Sequence, residues 1–325
     1  MTPKISVIIP VYNVEKYVAE CARSLFSQTF AEAEFIFVND CTPDGSMSVI
    51  RSVLEEFPQR RQWVKEITKQ VNEGLPAARK SGLEAARGEY ILHFDSDDFA
   101  EPQMLEKLYA EAQSTGAETV VCAWFKDNTP QPTKYTRRGV NCREKVLSDM
   151  IAVGEMQSEW RYMVRKDVYS RGITFPSHSQ GEDQALMVQL AFHSKSIYSL
   201  PEPLYHWRTN DESMTHEPSK ESVIKRFKDS CANVRLVEDF LTARGCKERY
   251  REELTALKLY AAFYLRPLLR KGEAAEMFAA AFPEIKSEVY CNKLTKFAHK
   301  VEYFINTHCS SKTVKAIYRW RNSCR

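Results

Sequence analysis

Three carboxylates close the apolar run from Tyr90 to Phe99, which reads YILHFDSDDF: Asp95, Asp97 and Asp98 fall within four residues, with Ser96 between the first two. Like charges that close repel one another, and strand interiors exclude them. Folding alone does not ask for this cluster, whereas a hard divalent cation does. Mg²⁺ and Mn²⁺ prefer oxygen ligands, and Mg²⁺ is usually held by one or two carboxylates with substrate phosphates in its remaining positions. The acidic turn therefore suits a cation completed by a phosphorylated ligand. An acidic start to a helix near Pro102 would account for one carboxylate, not for three. A second acidic pair, Glu182 and Asp183 in GEDQAL, precedes the helical pattern QALMVQLAF. On residue types alone, an acidic first turn describes that pair better than chemistry does.

The elements that must position these groups alternate. ISVIIPVYN opens with a β-branched run of the kind buried on both faces in a parallel sheet. YVAECARSLFSQ follows, with Val18, Cys21, Ala22 and Leu25 at helical spacing. EFIFVND, WVKEIT and EYILHF read as further strands, SMSVIRSVLEEF and GLPAARKSGLEAA as helices between them, and PQMLEKLYAEAQ and AETVVCAWF continue the alternation. Such a pattern implies an α/β fold with a mostly parallel, Rossmann-like sheet flanked by helices. Ligands of these sheets bind outside the carboxyl ends of the strands, where PVYN, NDCTPDG and DSDD all fall. After about Asp127 the pattern loosens into the Pro-rich TPQPTKYTRRGVN. Helices near 143–153 and 182–192 and short strands at SIYSL and LYHWR come next, and beyond Ser219 the chain reads as all helical.

The bulk numbers exclude several classes. The 325 residues are 43% hydrophobic and 27% charged, ordinary for a globular protein. The net charge of +3 is unevenly spread, because from Ser219 onward there are 22 Lys and Arg against 12 Asp and Glu. The nine cysteines are odd in number and form no CxxC pair, so reduced thiols in a cytoplasmic protein fit better than disulfides or a metal finger. No apolar run approaches the ~20 residues of a membrane span, and no signal-peptide pattern is present. No GxGxxG follows the first strand, and no GxxxxGK ending in Ser or Thr occurs, so dinucleotide and P-loop modes of holding a nucleotide lose their support.

The segments ISVIIPVYN, FVNDCTPDGS, NEGLPAARKSGLEAARGEYILHFDSDD, GEDQAL and PLYHWRTNDESMT, in this order, resemble glycosyltransferase family 2 over roughly Lys4 to Thr215. The resemblance implies a GT-A fold and an inverting, nucleotide-sugar-dependent transferase that uses Mn²⁺ or Mg²⁺. Its donor-binding part would span about 1–127, its acceptor-side part about 128–215, and a helical extension 216–325. The resemblance places Pro10 and Tyr12 at a uracil-facing turn, with Glu15 as another donor-site polar residue. Asp40 would accept a hydrogen bond from uracil, and Asn39 stands where Asp is frequent. Asn72 and Arg79 would steady the nucleotide, although Arg79 suits a surface ion pair equally well. Asp95 and Ser96 would lie on the ribose side, Asp97 would ligate the cation, and Asp98 would support it from behind.

Asp183 takes the place of the catalytic base, beside Glu182. An acceptor hydroxyl is a poor nucleophile until a positioned carboxylate takes its proton, while the leaving UDP gathers charge that a cation can stabilise. One in-line displacement from an α-linked UDP-sugar would give a β-linked product on a glycan or lipid-linked glycan, in bacterial surface polysaccharide or lipid-linked oligosaccharide synthesis. The donor would be a hexosyl or N-acetylhexosaminyl nucleotide. Arg208 would neutralise diphosphate charge, His206 would approach the phosphates or metal, and Ser213 lies in the same segment. Trp207 is either a sugar platform or core, Phe94 and Phe99 read as packing residues, and the resemblance offers no role for His93.

Two other functions share parts of this pattern. A nucleotidyltransferase would want a Gly-rich basic loop where PVYNVEKY stands. A catalytically silent nucleotide-sugar-binding protein would not need both the metal and base carboxylates. From Lys293 to Arg325 eight basic residues face the single acid Glu302, interleaved with Phe297, Tyr303, Phe304, Tyr318 and Trp320. A basic amphipathic helix of this kind can lie on the cytoplasmic face of an anionic membrane, or it can pack its aromatics on the protein. Nucleic acid is not an expected partner, since no module for it is visible.

Overall fold

The computed structural model describes residues 2–131, 138–152, 158–210, 219–310 and 312–317. The chain divides into two compact units. One comprises 1–147, 157–177 and 186–211; the other comprises 148–156, 178–185 and 212–325.

The first unit opens with the expected alternation: β1 (Ile5–Val11), α1 (Val18–Phe26), β2 (Ala33–Asn39), α2 (Ser46–Glu55), β3 (Val64–Thr68), α3 (Leu75–Ala85) and β4 (Tyr90–His93). β5 (Phe99–Ala100), α4 (Met104–Thr115), β6 (Thr119–Lys126), β7 (Thr129–Pro130) and β8 (Gly139–Val140) follow. After them come α5 (Arg143–Ile151), β9 (Tyr162–Arg165), α6 (Glu182–His193) and β10 (Ile197–Trp207), of which residues 148–151 and 182–185 belong to the second unit. The sheet runs β3-β2-β1-β4-β9-β6-β10-β5, with β7 beside β6 and β8 beside β10. β3, β2, β1 and β4 are parallel, as are β6 and β10.

Strand periodicity explains the continuous apolar reading. Ile5, Val7, Ile9 and Val11 enter one core with Phe35, Phe37 and the α1 stripe Val18, Cys21, Ala22 and Leu25. Ile8 turns the other way, into a smaller core with Ile36, Val38 and Ala78 of α3. Both faces are covered, so polar alternation is absent. Gly82 lets α3 lie close, because a Cβ there would collide with Ile8 Cγ2.

Two expectations are corrected. β9 lies antiparallel between β4 and β6, a reversal the sequence did not suggest. SIYSL and LYHWR form one strand, β10, whose register against β6 shifts between Leu200 and Pro203 and again between Pro203 and Tyr205. Proline cannot donate to a ladder, so Pro201 and Pro203 divide the pattern without ending the strand.

In the second unit every element that begins after Ser219 is helical among the described residues. They are α7 (Lys220–Ala243), α8 (Arg251–Ala262), α9 (Arg266–Leu269), α10 (Ala275–Ala281), α11 (Glu288–Cys291) and α12 (Phe297–His308), with short 3₁₀ turns. Ser219 caps α7 by accepting from the Ser222 N–H at 3.1 Å. Lys258 is buried and bridges Glu238 and Glu284 at 2.8 and 2.6 Å.

Candidate active site

The parallel register fixes where the polar segments emerge. Val11 pairs with Asn39 and Ile8 with His93, so the residues after β1, β2 and β4 leave at one rim. Pro10 lies within β1, and Tyr12 just beyond its end is half exposed. Asn13 and Cys41 hold left-handed backbone angles, φ 54° and 59°. Non-glycine residues in this region are uncommon and gather at functional turns.

The turns are tied together by their own side chains. Thr42 Oγ1 accepts the Asn13 N–H at 2.8 Å, and Asp44 accepts the Glu15 N–H at 2.9 Å. Glu15 accepts the Gly45 N–H at 2.8 Å, so its carboxylate fastens the turn before α2. Asn39 Oδ1 accepts the Thr42 N–H at 2.8 Å. Asp40 is buried and accepts the N–H groups of Glu73 and Gly74 at 3.0 and 2.8 Å. Asn72 Oδ1 also accepts from Gly74 N–H at 3.0 Å. The φ of +88° at Gly74 is open to glycine, which explains the NEG sequence before α3. A carboxylate has about four acceptor sites, so Asp40 keeps capacity for a ligand.

The DSDD turn is held from beneath. Arg79 is fully buried, with Nη2 2.7 Å from Asp95 Oδ1 and Nε 2.5 Å from Oε1 of the buried Glu159. Two of its partners are thus a carboxylate of the turn and an interior one. Tyr205 donates to Asp98 Oδ2 at 2.6 Å, and the Arg208 N–H donates to Asp98 Oδ1 at 2.8 Å. Asn210 donates to Asp97 Oδ2 at 3.1 Å. Asp95 and Asp97 remain half-buried, while Ser96 and Asp98 are buried.

Burial, and then the charges of Asp97 and Asp95, push the Asp98 carboxyl well above the usual range despite the bonds from Tyr205 and Arg208. Burial and the same three carboxylates raise the neighbouring Cys21 thiol. A divalent cation would relieve this concentrated negative charge, and an all-oxygen donor set suits Mn²⁺ or Mg²⁺. The donor types of the turn therefore fit such a metal, which Asp97 would ligate.

Other expected site residues take more specific positions. Arg208 pairs with Glu20 at 2.7 Å, its guanidinium lying over the rings of Phe99 and Tyr17. His206 is stacked between Phe99 and Phe125 at 4.2 and 4.3 Å, with Nε2 2.7 Å from Glu101. Both ring faces and one nitrogen are thereby engaged within the protein. Trp207 is half-buried and packs edge-on against Trp124 at the margin of the larger core. Phe94 is buried core, as expected. Glu182 and Asp183 form the first turn of α6 after Gly181 at φ +81°; Glu182 is buried and Asp183 half-buried. Ser213 lies outside the described residues.

Residue types alone did not single out Glu159, Tyr205 or Asn210. Tyr205 sits in an apolar-looking strand, Asn210 in a polar loop, and Glu159 in a short segment without periodicity. His93 now has a setting. It is buried, its Nδ1 is 3.9 Å from Glu159 Oε1, and burial together with Arg79 holds its pKa well below the usual value. It is therefore a neutral filler of the interior beside the Arg79–Glu159 pair.

This sheet, its acidic turn and the helices after it have the fold of GT-A glycosyltransferases. TarS (residues 1–349) of S. aureus superimposes with a TM-score of 0.68 at 18% identity, covering 99% of this chain and 92% of that one. TarS in complex with UDP-GlcNAc gives 0.57 at 16% identity over 98% and 92%. The mannosyltransferase PcManGT of Pyrobaculum calidifontis, solved with GDP-Man and Mn²⁺, gives 0.58 at 14% identity over 99% and 88%. In sequence, EpsJ of Bacillus subtilis strain 168, an uncharacterized glycosyltransferase, is 30% identical over 258 residues, which are 76% of this chain and 74% of EpsJ. Residues 6–176 match the model of glycosyl transferase family 2, and the chain belongs to that family.

Proposed function

We propose that the protein is an inverting glycosyltransferase that moves a hexosyl or N-acetylhexosaminyl group from a UDP-sugar to a hydroxyl of a glycan or lipid-linked glycan. The setting would be bacterial surface polysaccharide assembly at the cytoplasmic face of the membrane. The observation that carries the reading is the DSDD turn at the sheet rim: half-buried Asp95 and Asp97 are held by Arg79 and Asn210, and buried Asp98 is held by Tyr205 and the Arg208 backbone.

In this reading Tyr12 stacks on the uracil, with Pro10 shaping the turn, and Asp40 accepts from the base. Glu15 and Asn72 keep the surrounding turns in place, and Asp95 with Ser96 meets the ribose. Mn²⁺ or Mg²⁺ held by Asp97 would supply Lewis-acid neutralisation of the diphosphate. Arg208 adds a positive charge for the departing UDP, while His206, pinned by Glu101 and its two flanking rings, keeps that strand end in position. Asp183 takes the proton from the acceptor hydroxyl as its oxygen attacks the anomeric carbon. The bond from that carbon to the UDP oxygen breaks in the same displacement, which inverts the configuration. Glu182 holds the turn from which Asp183 projects.

The Asp183→Asn variant tests the assignment. It should bind UDP as the wild type does and lose UDP release from a UDP-sugar panel by at least ~100-fold, a general-base magnitude. Undiminished release by that variant would remove Asp183 from the mechanism.

A further inference from the structure

α12 has two apolar faces, and among the described residues one is packed inside the protein while the other is exposed. Its inner face is packed: Tyr303 is buried, with its ring 5.7 Å from Phe278 and 6.1 Å from Tyr290. Glu302, also buried, holds Arg266 through both carboxylate oxygens at 3.0 Å. The opposite face carries Phe297, Val301 and Phe304, which are 80%, 40% and 49% exposed, and Leu294 just before the helix is 48% exposed. Spacings of four and three residues place the helical three in one stripe. The stripe is not the by-product of a loose helix, because the inner face fixes its orientation.

The charge beside the stripe decides what can cover it. Lys293 and Lys296 are exposed at the start of α12, Lys300 lies on the helix, and Lys312 and Lys315 are exposed in the helical turn that follows. From Lys293 to the end the one acid is Glu302, and it points inward onto Arg266. An aromatic stripe among lysines, in a stretch of chain whose one acid is turned inward, matches a surface that is apolar below and anionic above. A lipid bilayer with acidic headgroups is such a surface: the rings enter the headgroup–acyl boundary and the lysines remain among the phosphates. A second copy of this face fits poorly, because a two-fold interface would set lysine against lysine.

We infer that the outer face of α12, with Leu294, Phe297, Val301 and Phe304 inserted and Lys293 and Lys296 at the headgroups, is a docking surface for an anionic membrane. This sharpens the lipid-linked acceptor of the proposed function and names the residues through which the protein reaches it. It stands on α12 alone, so it is measured without a nucleotide sugar, and loss of vesicle binding is distinguishable from loss of UDP binding.

The experiment is co-sedimentation of the full chain with vesicles of phosphatidylcholine alone or mixed with phosphatidylglycerol, at low and high salt. The full chain should sediment with the phosphatidylglycerol vesicles only and be released by salt. Phe297→Ser/Phe304→Ser and, separately, Lys293→Glu/Lys296→Glu should each weaken that binding at least ~10-fold. Both variants should keep the wild-type melting temperature and UDP binding, which shows that they fold. Equal vesicle binding by the wild type and the Phe297→Ser/Phe304→Ser variant would overturn the inference, as would equal binding to both lipid compositions. A wild type that is dimeric by light scattering, with the Phe variant monomeric, would assign the stripe to a second copy and overturn it as well.

Discussion

Replacing Arg79 by methionine probes the support beneath the site. Arg79 and Glu159 are each 1% exposed, and Nε lies 2.5 Å from the carboxylate, so the variant buries the Glu159 charge without that cation. Removing one member of a buried ion pair costs about 3–5 kcal/mol, whereas replacing both members is often nearly neutral. At about 2–4 °C per kcal/mol for a domain of this size, Arg79→Met should melt about 6–20 °C below wild type. The double variant Arg79→Met/Glu159→Gln should recover part of the loss, about 1–3 kcal/mol in urea unfolding followed by Trp fluorescence. Trp160, next to Glu159, is buried and reports on this region. Asp95 loses its 2.7 Å partner in both variants, so both should bind UDP with Mn²⁺ more weakly than wild type. Equal unfolding midpoints for the single and double variants would refute the argument that Arg79 neutralises the buried Glu159 charge.

Two further outcomes follow from the packing and charge of the first unit. Gly82→Ala would raise helix propensity by about 1 kcal/mol in an open helix, yet here its Cβ meets Ile8 Cγ2. Net destabilisation by about 1–3 kcal/mol is expected from overpacking, and a stabilised variant in urea would contradict the close approach of α3 to β1. Asp167 is held by Arg165, and also by Arg171, at a pKa of about 2 against its ordinary 3.8. A depressed carboxyl contributes stability above its unfolded value and loses it as pH falls through the folded one. The stability advantage of wild type over Asp167→Asn should therefore be constant above pH 3.8 and shrink towards pH 2. A pH-independent difference would remove the ion pair from the account.

The rim of the site was legible because its parts are local. DSDD, the NEG turn before α3 and the polar ends of β1 and β2 each announce themselves within a few residues, and a parallel sheet brings such ends together by rule. What could not be read depends on distant partners. β9 is four residues long with no alternating pattern, so nothing marked it for insertion between β4 and β6. Arg79 looks like any helix arginine until Glu159, eighty positions on, is folded under it. His93 appeared anomalous for the same reason, since its neighbour is Glu159 and not a residue of its own strand. His206 was expected near phosphate from its segment alone, whereas Glu101, Phe99 and Phe125 claim its ring. The aromatic tail divides similarly. Helical spacing could pair Phe297 with Phe304, but only the fold shows that Tyr303 turns inward and they do not. Tyr318 and Trp320 lie outside the described residues.

The measurement nearest the central claim is calorimetric titration of UDP into the wild type and the Asp97→Ala variant, each with and without Mn²⁺. The wild type should bind UDP far more tightly with Mn²⁺ present, and Asp97→Ala should lose that metal-dependent gain while keeping its melting temperature. Equal UDP affinity in all four titrations would contradict a cation held at the DSDD turn and, with it, the chemistry assigned to this site.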